Sequence, residues 1–155
     1  MTAGARRWRR VDDSRRRFAL RPTSRHFEPE EASTDDARSR SILAARAAAA
    51  KSATDTVVLE VGDIIGITEN FVITSGTNIR QVRTIVEEVE RKLKEAGGPG
   101  PIQVEGLSDA SWVLLDYGDF VVHVFLLETR AYYDLERLWA DAPRIQWEEQ
   151  TAAVS

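Results

Sequence analysis

Apolar residues at Ile79, Val82, Ile85, Val86, Val89 and Leu93 recur three and four positions apart, the spacing of one helical face. Glu87, Glu88, Glu90, Arg91, Lys92 and Lys94 fall mostly on the opposite side. The pattern predicts a helix from Asn78 to Ala96. Asn78 and Gln81 stand in capping-box relation at its start, and the run Gly97-Gly98-Pro99-Gly100-Pro101 ends it.

A second pattern is nearly continuous apolar sequence. Trp112–Leu115 and Phe120–Leu126 flank Asp116-Tyr117-Gly118-Asp119 and read as a hairpin covered on both faces. Strand alternation puts Trp112, Leu114 and Asp116 on one face, and Val113, Leu115 and Tyr117 on the other. Thr56–Val61 and Phe71–Thr74 are rich in β-branched residues and read as strands, with Ile102–Val104 as a short one. Ser41 to Ser52 is helical by alanine propensity, with a short apolar stripe that places it at the edge of the core. A last helix over Thr129–Asp141 is expected to bury Tyr132 or Tyr133, Leu135, Leu138 and Trp139. Pro143 stops it, and Ile145 and Trp147 follow as a hydrophobic tag. The order α-β-β-α-β-β-β-α gives a single α/β domain, a mixed sheet of about five strands with helices packed on it.

Charge divides the chain. Residues 1–27 carry nine arginines against Asp12 and Asp13, about +7, so the formal −4 of the whole leaves about −11 for the rest. Too few apolar residues recur over residues 1–38 to bury a face, so they read as a disordered arginine-rich, then acidic, tail. A domain over 39–142 and a C-terminal tail over 143–155 complete the division. The acidic body is a poor groove for nucleic acid and a good surface for steering toward a basic protein. The tail leaves room for weak RNA contact, and DNA binding is not expected. With no cysteine and only His26 and His123, thiolate and histidine metal sites are not expected. No apolar run approaches the ~20 residues of a membrane span.

Three groups could carry chemistry. Ser75-Gly76-Thr77-Asn78 forms a strand-to-helix turn that could bind phosphate, but it has neither the glycines nor the lysine of a Walker loop; a capped turn is the plainer reading. Asp116 and Asp119 flank a turn instead of alternating along a strand, so turn chemistry is plainer than a metal pair. His123, alone in a strand, has no triad partner placed by local sequence. Trp112 admits two readings, an interface anchor or a core indole packed under the final helix.

Asp55-Thr56-Val57-Val58-Leu59, Ile67 through Asn78, the Trp112–Phe125 hairpin and Tyr133-Asp134-Leu135-Glu136-Arg137-Leu138-Trp139 together resemble the ribosomal silencing factor family, also called iojap-like. The resemblance covers residues 41–141 and implies a nucleotidyltransferase-like fold without a working active site, hence no catalytic, cofactor or metal residues. It implies binding to the large ribosomal subunit through the protein uL-fourteen, steric exclusion of the small subunit and repression of translation, and it allows a homodimer. The expected partner surface is Trp112 and Leu114 as apolar anchors, Asp116, Asp119 and Glu128 as charges, and Tyr117, Arg130 and Tyr133 as contacting or shaping residues. On that reading Trp112→Ala weakens binding and leaves the fold intact. Large-subunit assembly is the alternative role, followed by a phosphate-binding enzyme using Ser75, Asp116 and Asp119. The bacterial cytoplasm is the expected location, with mitochondria second.

Overall fold

The structure is a computed structural model that describes residues 30–148. The arginine-rich segment, and any rRNA contact by it, lies outside the described residues. The elements run α1 (Glu30–Ala50), β1 (Thr54–Glu60), α2 (Gly62–Ile65), β2 (Asn70–Gly76), α3 (Ile79–Glu95), β3 (Gln103–Glu105), β4 (Trp112–Asp116), β5 (Phe120–Leu126), α4 (Leu127–Tyr133) and α5 (Leu135–Leu138). The expected α/β architecture and element order hold, with two short helices added.

The five strands form one sheet in the order β1-β2-β5-β4-β3. β2 and β5 are parallel, and the other neighbours are antiparallel, which makes the sheet mixed. Both faces are covered, as the continuous apolar strands require. On one face α1 and α3 pack over Val58, Val72, Val113, Leu115, Val122 and Val124. On the other, Leu59, Phe71, Ile73, Trp112, Leu114 and Phe125 meet Leu135, Trp139 and Ala142 from the C-terminal part. The alternation along each strand sorts neighbours to opposite faces.

Helix α3 forms as its periodicity predicts. Asn78 caps it, its side chain accepting from the Gln81 amide at 2.8 Å. The Gln81 side chain accepts from the Thr77 amide and donates to the Lys51 and Ser52 carbonyls, so it ties the start of α3 to the end of α1. Ile79 departs from the expected stripe: it sits in the first turn and is exposed.

Two helices differ from the sequence reading. Helix α1 starts at Glu30 rather than Ser41. It is not peripheral: Ala44, Ala45, Ala47 and Ala48 are buried, since alanines let its backbone approach the sheet. The last helix is broken. Asp134 adopts left-handed φ 50°, ψ 51°, ending α4 and redirecting α5. Leu135 and Trp139 are buried as expected, but the break leaves Leu138 60% exposed.

Candidate partner-binding face

The β4–β5 hairpin reverses at Gly118, whose φ of +91° suits a residue without Cβ. Asp116 is buried and its Oδ1 accepts from the Gly118 amide at 2.9 Å, so this carboxylate shapes the turn. The Asp119 carbonyl accepts from the amides of Glu69 at 2.8 Å and Asn70 at 3.4 Å. Thr68 Oγ1 donates to the Gly118 carbonyl, so the turn is fastened to the start of β2. Tyr117 stacks on Phe120 at 4.9 Å and lies inside the core. Burial, then the charge of Glu90, push its hydroxyl up to about 12 against the opposing pull of Arg40, so it stays protonated at neutral pH.

At the other end of β4, Trp112 is 2% exposed. Its indole stacks on Phe125 at 4.8 Å, leans on Tyr133 at 5.1 Å, and donates from Nε1 to His123 Nδ1 at 3.1 Å. An indole N–H only donates, so Nδ1 carries the lone pair and this histidine serves as a buried acceptor. Leu114 is 3% exposed. Neither Trp112 nor Leu114 is available as a surface anchor here; both are core residues, because α4 and α5 fold over that face of the sheet.

Arg130 also points inward. Its guanidinium donates from Nη1 to the Thr54 carbonyl at 3.1 Å and Ser75 Oγ at 2.9 Å, and from Nη2 to Glu136 Oε2 at 2.7 Å. Burial raises the Glu136 carboxyl, but the hydrogen bond and charge of Arg130, with a further contribution from Arg144, outweigh it and leave the group below the ordinary carboxylate range. Arg130 therefore clamps α4 and α5 onto the ends of β1 and β2. Sequence offered no sign of this, because the ion pair joins positions six apart across a helix break.

The eight expected site residues thus do not form one surface. Trp112 pairs with Phe125 and Asp116 with Val121, so the two ends of β4 lie roughly 13 Å apart. Asp116, Tyr117 and Asp119 sit at one end, and Trp112, Glu128, Arg130 and Tyr133 gather at the other, with Leu114 between. Of the second group Glu128 is exposed and Tyr133 half-buried. Tyr133 meets Tyr132 edge-on at 4.9 Å, and Tyr132 is 55% exposed. Glu128 and Tyr132 are four apart on α4 and share a side. Past the turn at Asp134, Leu138 on α5 is exposed as well. Leu138 is an addition the sequence reading had placed in the core, and Tyr132 is the one of its two candidate tyrosines that stays outside while Tyr133 turns inward.

The same geometry separates the groups of the phosphate-binding alternative. Ser75 pairs with Phe125, whereas Asp119 lies beside Asn70, five positions along β2, roughly 16 Å away. Ser75 is fully buried, and its hydroxyl is engaged by Thr54 and Arg130. No group of three or more His, Asp or Glu side chains placed to hold a metal occurs among the described residues. No helix among them is long and apolar enough to cross a membrane.

These features define a layered α/β module whose conspicuous polar groups hold the fold and whose last helices leave Glu128, Tyr132 and Leu138 exposed. The family model described as ribosomal silencing factor during starvation matches residues 34–155. The chain belongs to the ribosomal silencing factor family. It is 43% identical over 109 residues to ribosomal silencing factor RsfS of Bacillus subtilis, covering 67% of this chain and 89% of that one. The Halalkalibacterium halodurans RsfS is 41% identical over 109 residues, 68% of this chain and 90% of its own length. Among solved structures, a Chromobacterium violaceum protein superposes with a TM-score of 0.63 at 36% identity, covering 66% of this chain and 84% of that one.

Proposed function

We propose that this chain docks on the large ribosomal subunit through uL-fourteen, using helices α4 and α5, and excludes the small subunit by bulk, without catalysis. Glu128, Tyr132, Tyr133 and Leu138 form the contact. Trp112, Leu114 and Arg130 hold these helices in place from beneath, while Asp116, Tyr117 and Asp119 shape the distant hairpin. The observation that carries this reading is the exposure of Tyr132 and Leu138 on helices whose inner side is clamped by Arg130. Aromatic residues on a rigid support are favoured interface anchors. The acidic body adds attraction toward a basic ribosomal protein in the bacterial cytoplasm.

The test is binding of Tyr132→Ala and Leu138→Ala chains to isolated large subunits. Both side chains are solvent-exposed, so stability is expected to change by no more than ~0.5 kcal/mol. Affinity is expected to fall about tenfold or more for the pair, the scale of an interface anchor. Unchanged affinity in the double variant moves the contact off α4–α5. Association confined to immature large subunits replaces silencing with an assembly role.

A further inference from the structure

The outer edge of β1 is closed by the chain's own C-terminal part. Three alternate residues of β1 are engaged on that side. The Glu60 amide donates to the Pro143 carbonyl at 2.8 Å, and the Ile145 amide donates to the Val58 carbonyl at 2.8 Å. The Trp147 indole Nε1 donates to the Thr56 carbonyl at 3.0 Å. Two backbone groups and one side chain thereby do what a sixth strand would do over Thr56–Glu60. An uncovered strand edge is a template for pairing with another chain, so the closure has a physical purpose.

The closure is thin. Only one isolated bridge, Leu59 to Arg144, forms between the segment and β1, against a seven-residue ladder between β2 and β5. Pro143, Arg144 and Gln146 are exposed, while Ile145 enters the core cluster that holds the alanines of α1 and Trp147 packs half-buried against it. Open surface clefts of about 560, 280 and 360 Å³ border the segment. Beyond Ile145 it is held by the Trp147 indole and by Arg46 Nε, which donates to the Trp147 carbonyl at 2.7 Å.

We propose that Pro143–Trp147 is a displaceable strap over a latent strand-docking edge. It opens as a unit while the sheet stays folded, as weakly packed segments do. The edge it uncovers takes an extended peptide by strand addition. The bonds on the strap define that peptide: an aliphatic residue whose amide reaches the Val58 carbonyl and whose side chain fills the Ile145 slot, followed two positions on by a tryptophan for the Thr56 carbonyl.

Hydrogen exchange on the unmodified full chain tests the opening. The Ile145 and Glu60 amides are expected to exchange at least 100-fold faster than those of Val72 and Val122. Exchange of all four at one rate would make the strap part of the cooperative core and overturn the proposal. Docking is tested with the full chain carrying Ile145→Ala and Trp147→Ala, probed with a labelled peptide of residues 142–148. The variant is expected to bind the peptide at least tenfold more tightly than the unmodified chain, whose own strap competes. A folded variant that ignores the peptide, or equal binding by both chains, overturns the docking edge. If the double variant does not fold, the exchange comparison on the unmodified chain decides the proposal.

Discussion

Replacing Trp112 by alanine separates a core indole from a surface anchor. The side chain is 2% exposed, stacked on Phe125, in contact with Tyr133 and hydrogen-bonded to His123. Truncating a buried tryptophan removes its transfer free energy and leaves a cavity, together ~3–5 kcal/mol. Loss of the bond to His123 Nδ1 adds about 1 kcal/mol. A domain of this size has a total stability of only ~5–15 kcal/mol, so the variant keeps a fraction of it. With a urea dependence of ~1–3 kcal/mol per molar, the midpoint is expected to fall by roughly 2 M with the slope unchanged. Urea unfolding followed by far-UV circular dichroism reads this directly. Binding to large subunits then drops only as far as the folded population and the seating of Tyr133 drop. A variant with an unshifted midpoint that has lost binding would refute the reasoning and return Trp112 to the surface.

Three further outcomes follow from the same contacts. Arg130→Met leaves Glu136 and the Thr54 carbonyl without their buried partner and is expected to cost ~3–5 kcal/mol in chemical denaturation; adding Glu136→Leu is expected to recover part of it. The Glu136 carboxyl lies below its ordinary value of 4.5 in the folded chain, so its contribution is full above about pH 4.5 and is lost as pH falls through the folded value. The stability gap between the unmodified chain and Glu136→Gln is therefore expected to be widest at pH 7 and to narrow as pH falls below 4.5, measured by urea titration across that range. Asn78→Ala removes the α3 cap and is expected to lower stability by ~1 kcal/mol, read as a shift in the denaturation midpoint.

Elements governed by a local period were legible in the sequence. Helix α3 has a strong amphipathic stripe and a cap at its start, and the β4–β5 strands are apolar throughout with a glycine turn between them, so both fall within a residue of expectation. Helix α1 was harder to place because alanine makes an element helical without marking a face. Its burial depends on how closely it approaches α3 and the sheet. Leu138 followed helical spacing from Leu135 on paper, and one left-handed residue, Asp134, turned it outward; aspartate tolerates that geometry without announcing it. Trp112 had two readings because strand alternation says which residues share a face, not what covers that face. The cover comes from α4, through Tyr133. Arg130 was expected as a contacting or shaping residue; the Thr54 carbonyl and Ser75 hydroxyl on distant strands, with Glu136, make it a buried shaping one. The eight site residues were contiguous enough in sequence to suggest one patch, but β4 carries them to opposite ends of the sheet.

The central claim is exclusion of the small subunit by a bound, catalytically idle domain, and light scattering of subunit joining tests it most directly. Purified large subunits are incubated with the chain, small subunits are added, and the rise in scattering is followed over increasing protein. The account predicts that the chain sediments with the large subunit and that joining falls in proportion to its occupancy, with Tyr132→Ala/Leu138→Ala protein losing both effects. Full joining at saturating occupancy of the large subunit would contradict it.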